Sequence, residues 1–350
     1  MAAENPVNIA VVGVGYWGKN YVRLTSENPL TNLVGMCDMH PPTLEKAKAR
    51  FPGVPAFSSV DDLLAVPELE AVVIVVPAKY HHGVGMQILN AGKHVLMEKP
   101  LAVSVEECKE LVAAAEANSV RLLVGHTFLF NSSVAKMKAM VDTHDVGDTH
   151  YVYAKRTNLG PVRQDVSALW DLATHDISVF LYLLAGTDVE WVSCTGSSLL
   201  PGSDLADVVF VTMGFKDSPV IAHVHASWMD PNKEREIVVV GSKGRVVFED
   251  TAINHPVKVF FKGPDELQEA GDVVDSGHFT DYMFSARKGD VFMPHIDKVE
   301  PLGAQMTEFV NAIRTPSADM RSDGHFGHKV VSILNAAESS LQQGGARVTI

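Results

Sequence analysis

The sequence predicts an α/β fold, with a doubly wound parallel sheet followed by an α+β domain built on an open-faced, mostly antiparallel sheet. The first observation is a glycine-rich turn, Gly13–Gly18, directly after an apolar stretch. The second is the run Ala71–Val76, which is apolar throughout, as a strand buried on both faces requires. The third is a change after His126, where alternating strands and helices give way to short strands joined by tight turns. These observations predict two domains, 1–126 and 127–350.

Signals for strands and helices alternate through the first domain. Ser104 is placed to cap the helix that starts at Val105, and Glu107 completes a capping-box pattern. Five such alternations at short spacing predict a doubly wound sheet. The predicted strands are Val7–Val12, Leu33–Cys37, Ala71–Val76, His94–Glu98 and Arg121–Gly125, and the predicted helices are Lys19–Glu27, Pro42–Phe51, Ser58–Leu64, Gly83–Asn90 and Val105–Ala117.

The second domain is predicted to be built mainly from antiparallel hairpins. Turns such as Lys216–Pro219 and Gly241–Gly244 connect successive strands and leave no room for a helix. An open apolar sheet face must be covered, so we expect a homodimer or homotetramer. The predicted strands are Thr149–Thr157, Trp191–Ser197, Ala206–Phe215, Pro219–Trp228, Glu236–Gly241, Gly244–Glu249 and Val257–Phe261, with helices at Val166–Leu184, Gly303–Ile313 and His325–Gln342.

The glycine turn has the spacing of a dinucleotide-binding motif. Gly13, Gly15 and Gly18 form G-x-G-x-x-G between a strand and a helix: the first glycine allows the turn, the second lets the backbone approach a pyrophosphate, and the third lets helix pack on strand. Asp38 ends the next strand, where a carboxylate accepts hydrogen bonds from a ribose diol and repels a 2′-phosphate. The pattern therefore predicts a Rossmann domain that binds NAD in preference to NADP, although an ordinary βα turn is the alternative for the glycines alone.

Composition limits the classes of partner. The chain has 350 residues, of which 46% are apolar, and a formal net charge of −13 from 42 acidic and 29 basic residues. With no basic block, binding to nucleic acid or an anionic membrane is not expected, though a local basic pocket for one phosphorylated ligand stays possible. Three isolated cysteines, an N-terminus without signal-peptide features and the lack of about 18 consecutive apolar residues predict a cytoplasmic protein.

Residues directly after the strands of an open α/β sheet are candidates for chemistry, because ligands bind beyond the carboxyl ends of the strands. Besides the glycine turn and Asp38, these are Pro77–His82, Glu98–Pro100 and His126. Lys99 is the main candidate, since an ammonium in a partly desolvated cleft can polarise a substrate oxygen. The alternative is a solvated lysine beside a proline turn.

A second candidate lies in the segment LWDLATHDI. On a helix, Asp171 and His175 share a face, so the carboxylate can orient the imidazole and raise its pKa. Asp176 points to the side and is expected to be structural. The D-x-x-x-H pattern is common by chance, and only its context favours an acid/base pair.

Histidine pairs elsewhere do not predict a metal site. His81–His82 and the alternating His223 and His225 lack a convincing set of further ligands. His223 and His225 are expected to line one face of a strand, and no metal is predicted.

The motifs VVGVGYWGKNYV, VVPAKYHH, GKHVLMEKPLA and WDLATHDI together resemble the glucose-fructose oxidoreductase, inositol dehydrogenase and rhizopine-catabolism family (Gfo/Idh/MocA). The resemblance implies that Lys99 is the lysine of the catalytic site and that His175 is the general acid/base, supported by Asp171. It also implies that His81 and Glu98 lie near the nicotinamide. Counting the glycine turn, the predicted cofactor-binding residues are Gly13, Gly15, Tyr16, Trp17, Gly18, Asp38, Pro77, His81, Glu98 and Lys99.

Two departures from the family pattern bear on the substrate. Ser167–Trp170 replaces the glycine-rich approach that many members have, and Ser178 replaces a later acid. The segment RTNLGPVRQD before LWDLATHDI is similar to members that act at C3 of nucleotide-linked sugars. This similarity implies that Arg163 pairs with a diphosphate and Asn158 reaches a sugar hydroxyl; the alternative for both is a cap or surface residue. Trp170 lies beside the Asp-His helix and is expected to border the sugar, with a core or interface residue as the alternative. The predicted substrate-binding residues are Lys99, Asn158, Arg163, Trp170 and His175.

The working hypothesis is an NAD-dependent oxidoreductase that transfers a hydride between the nicotinamide and a ring carbon, C3, of a nucleotide-linked sugar. The alternatives within the resemblance are an inositol or free-sugar dehydrogenase, a glycosidase that uses bound NAD for transient oxidation, and a ligand-sensing regulator without catalysis. The retained Lys99 and His175 argue against the regulator.

Overall fold

The computed structural model describes residues 5–160, 162–163, 166–264, 286–287 and 289–350. Its first sheet has six parallel strands in the order β3-β2-β1-β4-β5-β6. This is the predicted doubly wound order, with the reversal of strand order between β1 and β4. The strands are β1 (Val7–Val12), β2 (Thr31–Cys37), β3 (Ala56–Phe57), β4 (Ala71–Ile74), β5 (His94–Glu98) and β6 (Leu122–Gly125).

One strand is shorter than its apolar run predicts. The run continues to Val76, but β4 ends at Ile74. Val75 still donates to Val12, at 2.8 Å, and the chain then turns at Pro77. An apolar run indicates burial and does not by itself show where a strand ends. Val75 and Val76 are half-buried beneath the glycine turn, beyond the last residue of β4.

Two of the helices around this sheet, α3 and α5, begin at serine caps. Ser104 Oγ accepts from the backbone N–H of Glu107 at 3.2 Å, while the Glu107 carboxylate accepts from Val103 N at 3.3 Å. Ser59 caps α3 in the same way. The helices are α1 (Gly18–Glu27), α2 (Pro41–Arg50), α3 (Val60–Leu64), α4 (His81–Asn90) and α5 (Val105–Ala117).

The second sheet has nine strands in the order β16-β13-β12-β11-β7-β10-β9-β8-β17. All its neighbouring pairs are antiparallel except β7 and β10, which run parallel with Tyr151 opposite Ile221. The strands are β7 (Thr149–Thr157), β8 (Val189–Ser197), β9 (Val208–Phe215), β10 (Ile221–Ser227), β11 (Glu234–Gly241), β12 (Gly244–Glu249), β13 (Val257–Phe260), β16 (Val291–Phe292) and β17 (Val348–Thr349), while β14 (Gly263–Pro264) and β15 (Ala286–Arg287) form a separate pair.

Helices α6 (Ser132–Asp142) and α7 (Thr174–Leu183) belong with this second sheet. The sequence analysis did not predict α6, although its buried Val134, Met137 and Met140 recur at the spacing of one helical face. The helix predicted at Val166–Leu184 begins as a π-helical turn, Leu169–Ala173, and continues as α7.

Two helices near the C-terminus, α8 (Pro301–Arg314) and α9 (Gly324–Gln342), complete the chain. Contacts divide the molecule into a first unit, Met1–Asn131 with Val299–Asn335, and a second, Ser132–Lys298 with Ala336–Ile350. This division differs from the predicted 1–126 and 127–350, because α8 packs on α1 and its side chains contribute to the first core. No helix in the described part of the chain is long and apolar enough to cross a membrane.

The three cysteines have the role that their isolation in the sequence predicts. Cys37, Cys108 and Cys194 are all buried and free. Burial raises the pKa of the Cys37 thiol to about 11 and those of Cys108 and Cys194 to about 12, so the thiols stay protonated and act as small core side chains.

Candidate functional site

The three glycines of the first turn are required for different steric reasons. Gly13 has φ +87°, and a Cβ added there would lie 2.6 Å from the Val75 carbonyl oxygen. A Cβ on Gly18 would lie 1.8 Å from the Gly13 oxygen, whereas one on Gly15 would meet nothing within 4 Å. Two glycines therefore serve the fold, and Gly15 leaves open space at the start of α1, as close approach of a pyrophosphate requires.

Asp38 lies beside this turn at the end of β2. Its carboxylate accepts from the N–H of Val14 at 3.0 Å and from the N–H of His40 at 2.9 Å. Both bonds orient the side chain, and an ionised carboxylate has further acceptor sites for a ribose diol. The residues present therefore fit the adenosine side of NAD.

Two aromatic residues follow Gly15. Tyr16 is 86% exposed, and Lys19 Nζ lies 4.8 Å from the centre of its ring. Trp17 is partly exposed and donates from Nε1 to Glu98 at 2.8 Å. The indole thus connects the glycine turn to the end of β5.

Glu98 and Lys99 form the corner at the end of β5. Glu98 is only 8% exposed and accepts from Trp17, from Tyr21 Oη at 2.7 Å and from Lys99 N at 3.1 Å. Tyr21 Oη in turn accepts from Gln305 Nε2 at 3.2 Å. Lys99 is half-buried, at the carboxyl edge of the sheet. The corner therefore holds a lysine beside a buried carboxylate.

His81 holds the backbone of this corner in place. Its ring is buried, with Nδ1 2.8 Å from the Pro100 oxygen and Nε2 2.9 Å from the Val76 oxygen. Burial lowers its pKa, opposed by the two carbonyl oxygens and by Glu98. Pro77 is exposed between β4 and the following 3₁₀ turn. The His81 imidazole connects the end of β4 to the turn that carries Lys99.

His126 follows β6 at the same edge. The imidazole is fully buried and meets Phe326 edge to face, with ring centroids 5.7 Å apart. Burial, and secondly the charge of Lys99, lower the pKa of His126 to about 3. A neutral imidazole close to an ammonium is therefore part of this edge.

In the second unit, the segment with Asp171 and His175 begins in the π-helical turn. Asp171 Oδ1 lies 3.3 Å from Arg163 Nη1, and Trp170 Nε1 donates to Glu338 at 3.2 Å. His175, half-buried, lies in the first turn of α7. The support of His175 by Asp171 stays a prediction. Asp176 is structural, as expected, because it is buried.

The other predicted substrate residues lie close to this segment in the chain. Asn158 donates its backbone N–H to the Ser227 oxygen at 3.0 Å, and its side-chain amide lies against Gly160, where a Cβ would be 2.0 Å from Nδ2. Arg163 has 42% of its side chain exposed. In the motif RTNLGPVRQD, Pro161, Gln164 and Asp165 lie outside the described residues.

Asp207 is a residue that the sequence analysis missed. Its buried carboxylate accepts from Leu199 N at 2.7 Å and Leu200 N at 2.8 Å, so it fixes the β8–β9 loop. Ala206, the residue before Asp207, accepts a backbone hydrogen bond from Ala168 N at 2.8 Å, just before the π-helical turn. An aspartate at a strand start carries no sequence signal for this role.

The remaining histidine pair belongs to a surface aromatic cluster. His225 stacks on Phe210 with centroids 4.5 Å apart, and His223 lies 3.1 Å from the Thr212 hydroxyl. Within the described residues, no group of three or more His, Cys, Asp or Glu side chains is arranged to hold a metal ion.

The parallel sheet, its glycine turn and the Asp38 carboxylate together fit an NAD-binding Rossmann domain. Residues 7–126 match the model of an oxidoreductase family with an NAD-binding Rossmann fold, and residues 134–247 match the GFO/IDH/MocA C-terminal domain. The chain belongs to the Gfo/Idh/MocA oxidoreductase family. The predictions of family, fold and NAD as cofactor are confirmed.

Relatives of the chain include sugar and polyol dehydrogenases. A UDP-N-acetylglucosamine 3-dehydrogenase from Acidithiobacillus ferrooxidans is 26% identical over 340 residues, which cover 95% of this chain and 98% of the relative. An inositol 2-dehydrogenase from Gluconacetobacter diazotrophicus is 29% identical over 192 residues, 53% of this chain and 56% of the relative. The first similarity runs end to end, and the second covers about half of each chain.

Solved structures share the fold over the whole chain. The WlbA dehydrogenase from Bordetella pertussis, in complex with NADH and UDP-GlcNAcA, has a TM-score of 0.78 at 21% identity and covers 99% of each chain. GenD2 from gentamicin A biosynthesis, in complex with NAD, has a TM-score of 0.82 at 22% identity, over 100% of this chain and 98% of that one. At these identities the likeness establishes the fold.

Proposed function

We propose that this oxidoreductase acts on a ring hydroxyl, at C3, of a nucleotide-linked sugar. The observation that carries the proposal is the corner at the end of β5, where Lys99 lies at the carboxyl edge of a sheet that also carries the glycine turn. The end-to-end similarity to a UDP-N-acetylglucosamine 3-dehydrogenase supports the choice of substrate class.

In the proposed mechanism, bound NAD supplies the hydride acceptor. Lys99 donates a hydrogen bond to the reacting oxygen and stabilises the charge that develops on it. His175 takes the hydroxyl proton during oxidation and returns it during reduction, while Asp171 supports the imidazolium. His81 keeps the Lys99–Pro100 turn in place through its two carbonyl contacts.

We assign binding of the nucleotide part of the sugar substrate to the segment before the π-helical turn. Arg163 is exposed enough to exchange its Asp171 partner for a diphosphate, for which a guanidinium is well suited. Asn158 is assigned to a sugar hydroxyl and Trp170 to the border of the sugar. In the proposal these residues set specificity, and Lys99 and His175 carry the chemistry.

The roles of Lys99 and His175 are tested by single substitutions in the full-length protein. Lys99→Ala and His175→Asn are expected to lower kcat by about 10³-fold and to leave the Kd for NAD within about threefold. Lys46→Ala and His295→Asn are matched controls, because these side chains are exposed and lie outside the candidate segments. Normal turnover in Lys99→Ala or His175→Asn would reject the mechanism.

The substrate class is tested with Arg163→Ala and a panel of UDP-linked, dTDP-linked and free sugars and inositol. The variant is expected to raise KM for the nucleotide-linked sugars by about tenfold or more and to leave kcat nearly unchanged. Turnover of free sugars or inositol alone would contradict the proposal. Cleavage of the substrate without net NADH would instead identify a glycosidase.

We further propose that the outer face of the nine-stranded sheet binds a second copy of the chain. Phe210, on β9, is 41% exposed on this face next to His225, and Tyr151 stacks on Tyr153 with centroids 6.3 Å apart. Phe210→Glu is expected to shift a dimer or tetramer toward monomer in sedimentation velocity. Ile253→Glu, in the exposed β12–β13 loop, is the control, and an unchanged mass for Phe210→Glu would exclude this face.

A further inference from the structure

We infer that the buried carboxylate of Glu98 sets the balance between the two forms of the bound cofactor, favouring NAD⁺ over NADH. This inference rests on the proposed position of the nicotinamide near Lys99. It assigns to Glu98 an electrostatic role in addition to its structural contacts.

Every described contact of the Glu98 side chain requires it to be an acceptor. Trp17 Nε1 can only donate. Tyr21 Oη accepts from Gln305, which leaves its own proton for Glu98 Oε1. Lys99 N donates to Oε2. All three contacts therefore hold the carboxyl oxygens as acceptors.

The tyrosine keeps its proton. Burial, and secondly the Glu98 charge, raise the pKa of Tyr21 well above 10. The three donors to Glu98 are therefore an indole, a phenol and a peptide N–H, all neutral. They orient the carboxylate and do not neutralise it. The nearby Lys99 ammonium is the same in the wild type and in the Glu98 and Tyr21 variants, so it does not affect their comparison.

The strand order indicates where along the dinucleotide this charge lies. Asp38 follows β2 and the glycine turn follows β1, so the adenosine side lies toward β2 and the nicotinamide toward β4 and β5. Neighbouring strands are about 4.8 Å apart, which puts the end of β5 about 10 Å from the end of β1. Glu98 ends β5.

The nicotinamide ring carries one positive charge in NAD⁺ and none in NADH. A fixed carboxylate near the ring attracts only the oxidised form, since Coulomb energy requires charge on both partners. Glu98 therefore strengthens NAD⁺ binding relative to NADH binding, and its loss changes the ratio of the two affinities.

The experiment compares the Kd values of NAD⁺ and NADH for the wild-type protein, Glu98→Gln and Tyr21→Phe by fluorescence titration and calorimetry. Glu98→Gln is expected to weaken NAD⁺ relative to NADH by about tenfold. Tyr21→Phe removes one donor and keeps the charge, so it should change both values by the same factor. An equal change of both values in Glu98→Gln would overturn the inference.

A measurement on the wild-type protein covers the case in which Glu98→Gln does not fold. The wild type is expected to bind NAD⁺ at least as tightly as NADH, and tighter binding of NADH would overturn the inference. If the Lys99 and His175 variants keep normal turnover, the proposed mechanism is rejected. A shifted affinity ratio in Glu98→Gln would still support the role of Glu98 in that case. If the wild type binds neither NAD⁺ nor NADH, the dinucleotide site itself is rejected.

Discussion

Arg156 and Asp176 meet in the interior of the second unit, where Nε and Nη2 of the guanidinium each lie 2.8 Å from a carboxylate oxygen. Both side chains are almost fully buried. The bidentate geometry matches the guanidinium to the carboxylate, and removing Asp176 would take this pair of charge-assisted hydrogen bonds from a buried arginine. The sequence analysis could assign Asp176 a structural role but could not find its partner, which lies 20 residues earlier on β7.

Asp176→Asn is therefore expected to lower the free energy of unfolding by about 3–5 kcal/mol, measured by urea denaturation. Replacing both residues with apolar side chains, Arg156→Met with Asp176→Leu, should cost less than the single change. Asp250→Asn, which breaks the more exposed pair with Arg235, is the control and should cost about 1 kcal/mol or less. Equal costs for the two single variants would show that burial does not determine the effect.

Protonation of His126 is expected to make the free energy of unfolding depend on pH. Its pKa is about 3 in the folded protein and near 6.5 when unfolded, so the unfolded chain binds the proton more readily across that interval. The free energy of unfolding is thus expected to fall as the pH drops below 6.5, by up to about 1.4 kcal/mol per pH unit from this residue.

His126→Phe keeps a ring against Phe326 and removes the titration. Between pH 6.5 and 5, where few carboxylates are protonated, its unfolding free energy should vary less with pH than that of the wild type. His295→Phe, at an exposed position, should keep the wild-type slope. If the wild-type and His126→Phe slopes coincide, the imidazole is not held neutral in the fold.

At the scale of elements, the glycine turn and the start of α1 combine a requirement of the fold with a requirement of the ligand. Gly13 and Gly18 are fixed by close backbone contacts, while Gly15 has open space. The motif in the sequence assigns the three positions different roles, and the structure gives the contacts that account for each role. α6, by contrast, had a readable apolar face that the sequence analysis did not use, and the π-helical turn at Leu169–Ala173 has no signal that distinguishes it from α-helix.

Alanine substitutions in the turn should therefore have separable effects. Gly15→Ala is expected to change the unfolding free energy by less than about 1 kcal/mol and to weaken NAD binding by about tenfold or more, because its methyl group occupies the approach of the pyrophosphate. Gly18→Ala should destabilise the fold itself by several kcal/mol, since its Cβ would overlap the Gly13 carbonyl. Thermal unfolding with and without NAD measures both, and a strongly destabilised Gly15→Ala would contradict this division.

At the scale of the whole molecule, the chain contributes to its first unit twice. α8 brings Gln305 to Tyr21 and Phe309 into the first core, nearly 300 residues after α1 begins. The predicted boundary at residue 126 assigned that helix to the second domain because it lies there in the sequence. Its amphipathic pattern predicted a helix at the right place but carried no information about which sheet it covers.

Phe309→Ala in the full-length protein is expected to destabilise the first unit by about 3–5 kcal/mol. Hydrogen exchange should show the loss of protection in β1 and β4–β6, with the nine-stranded sheet less affected. Phe180→Ala, equally buried in the second unit, should give the opposite pattern. Exchange lost first in the nine-stranded sheet of Phe309→Ala would contradict the assignment of α8.

The sequence by itself determined the parallel sheet, the glycine turn of an NAD-binding domain, the carboxylate that follows β2, and the hairpins of the second sheet. These follow from the spacing of apolar residues and from backbone conformations that only certain residues adopt, which are local properties of the chain. The tertiary structure alone decided the partners of Glu98, the ion pair of Arg156, the parallel pairing of β7 with β10 and the return of α8. A buried polar group or an apolar face needs a complementary neighbour, and which neighbour it meets depends on segments far apart in sequence.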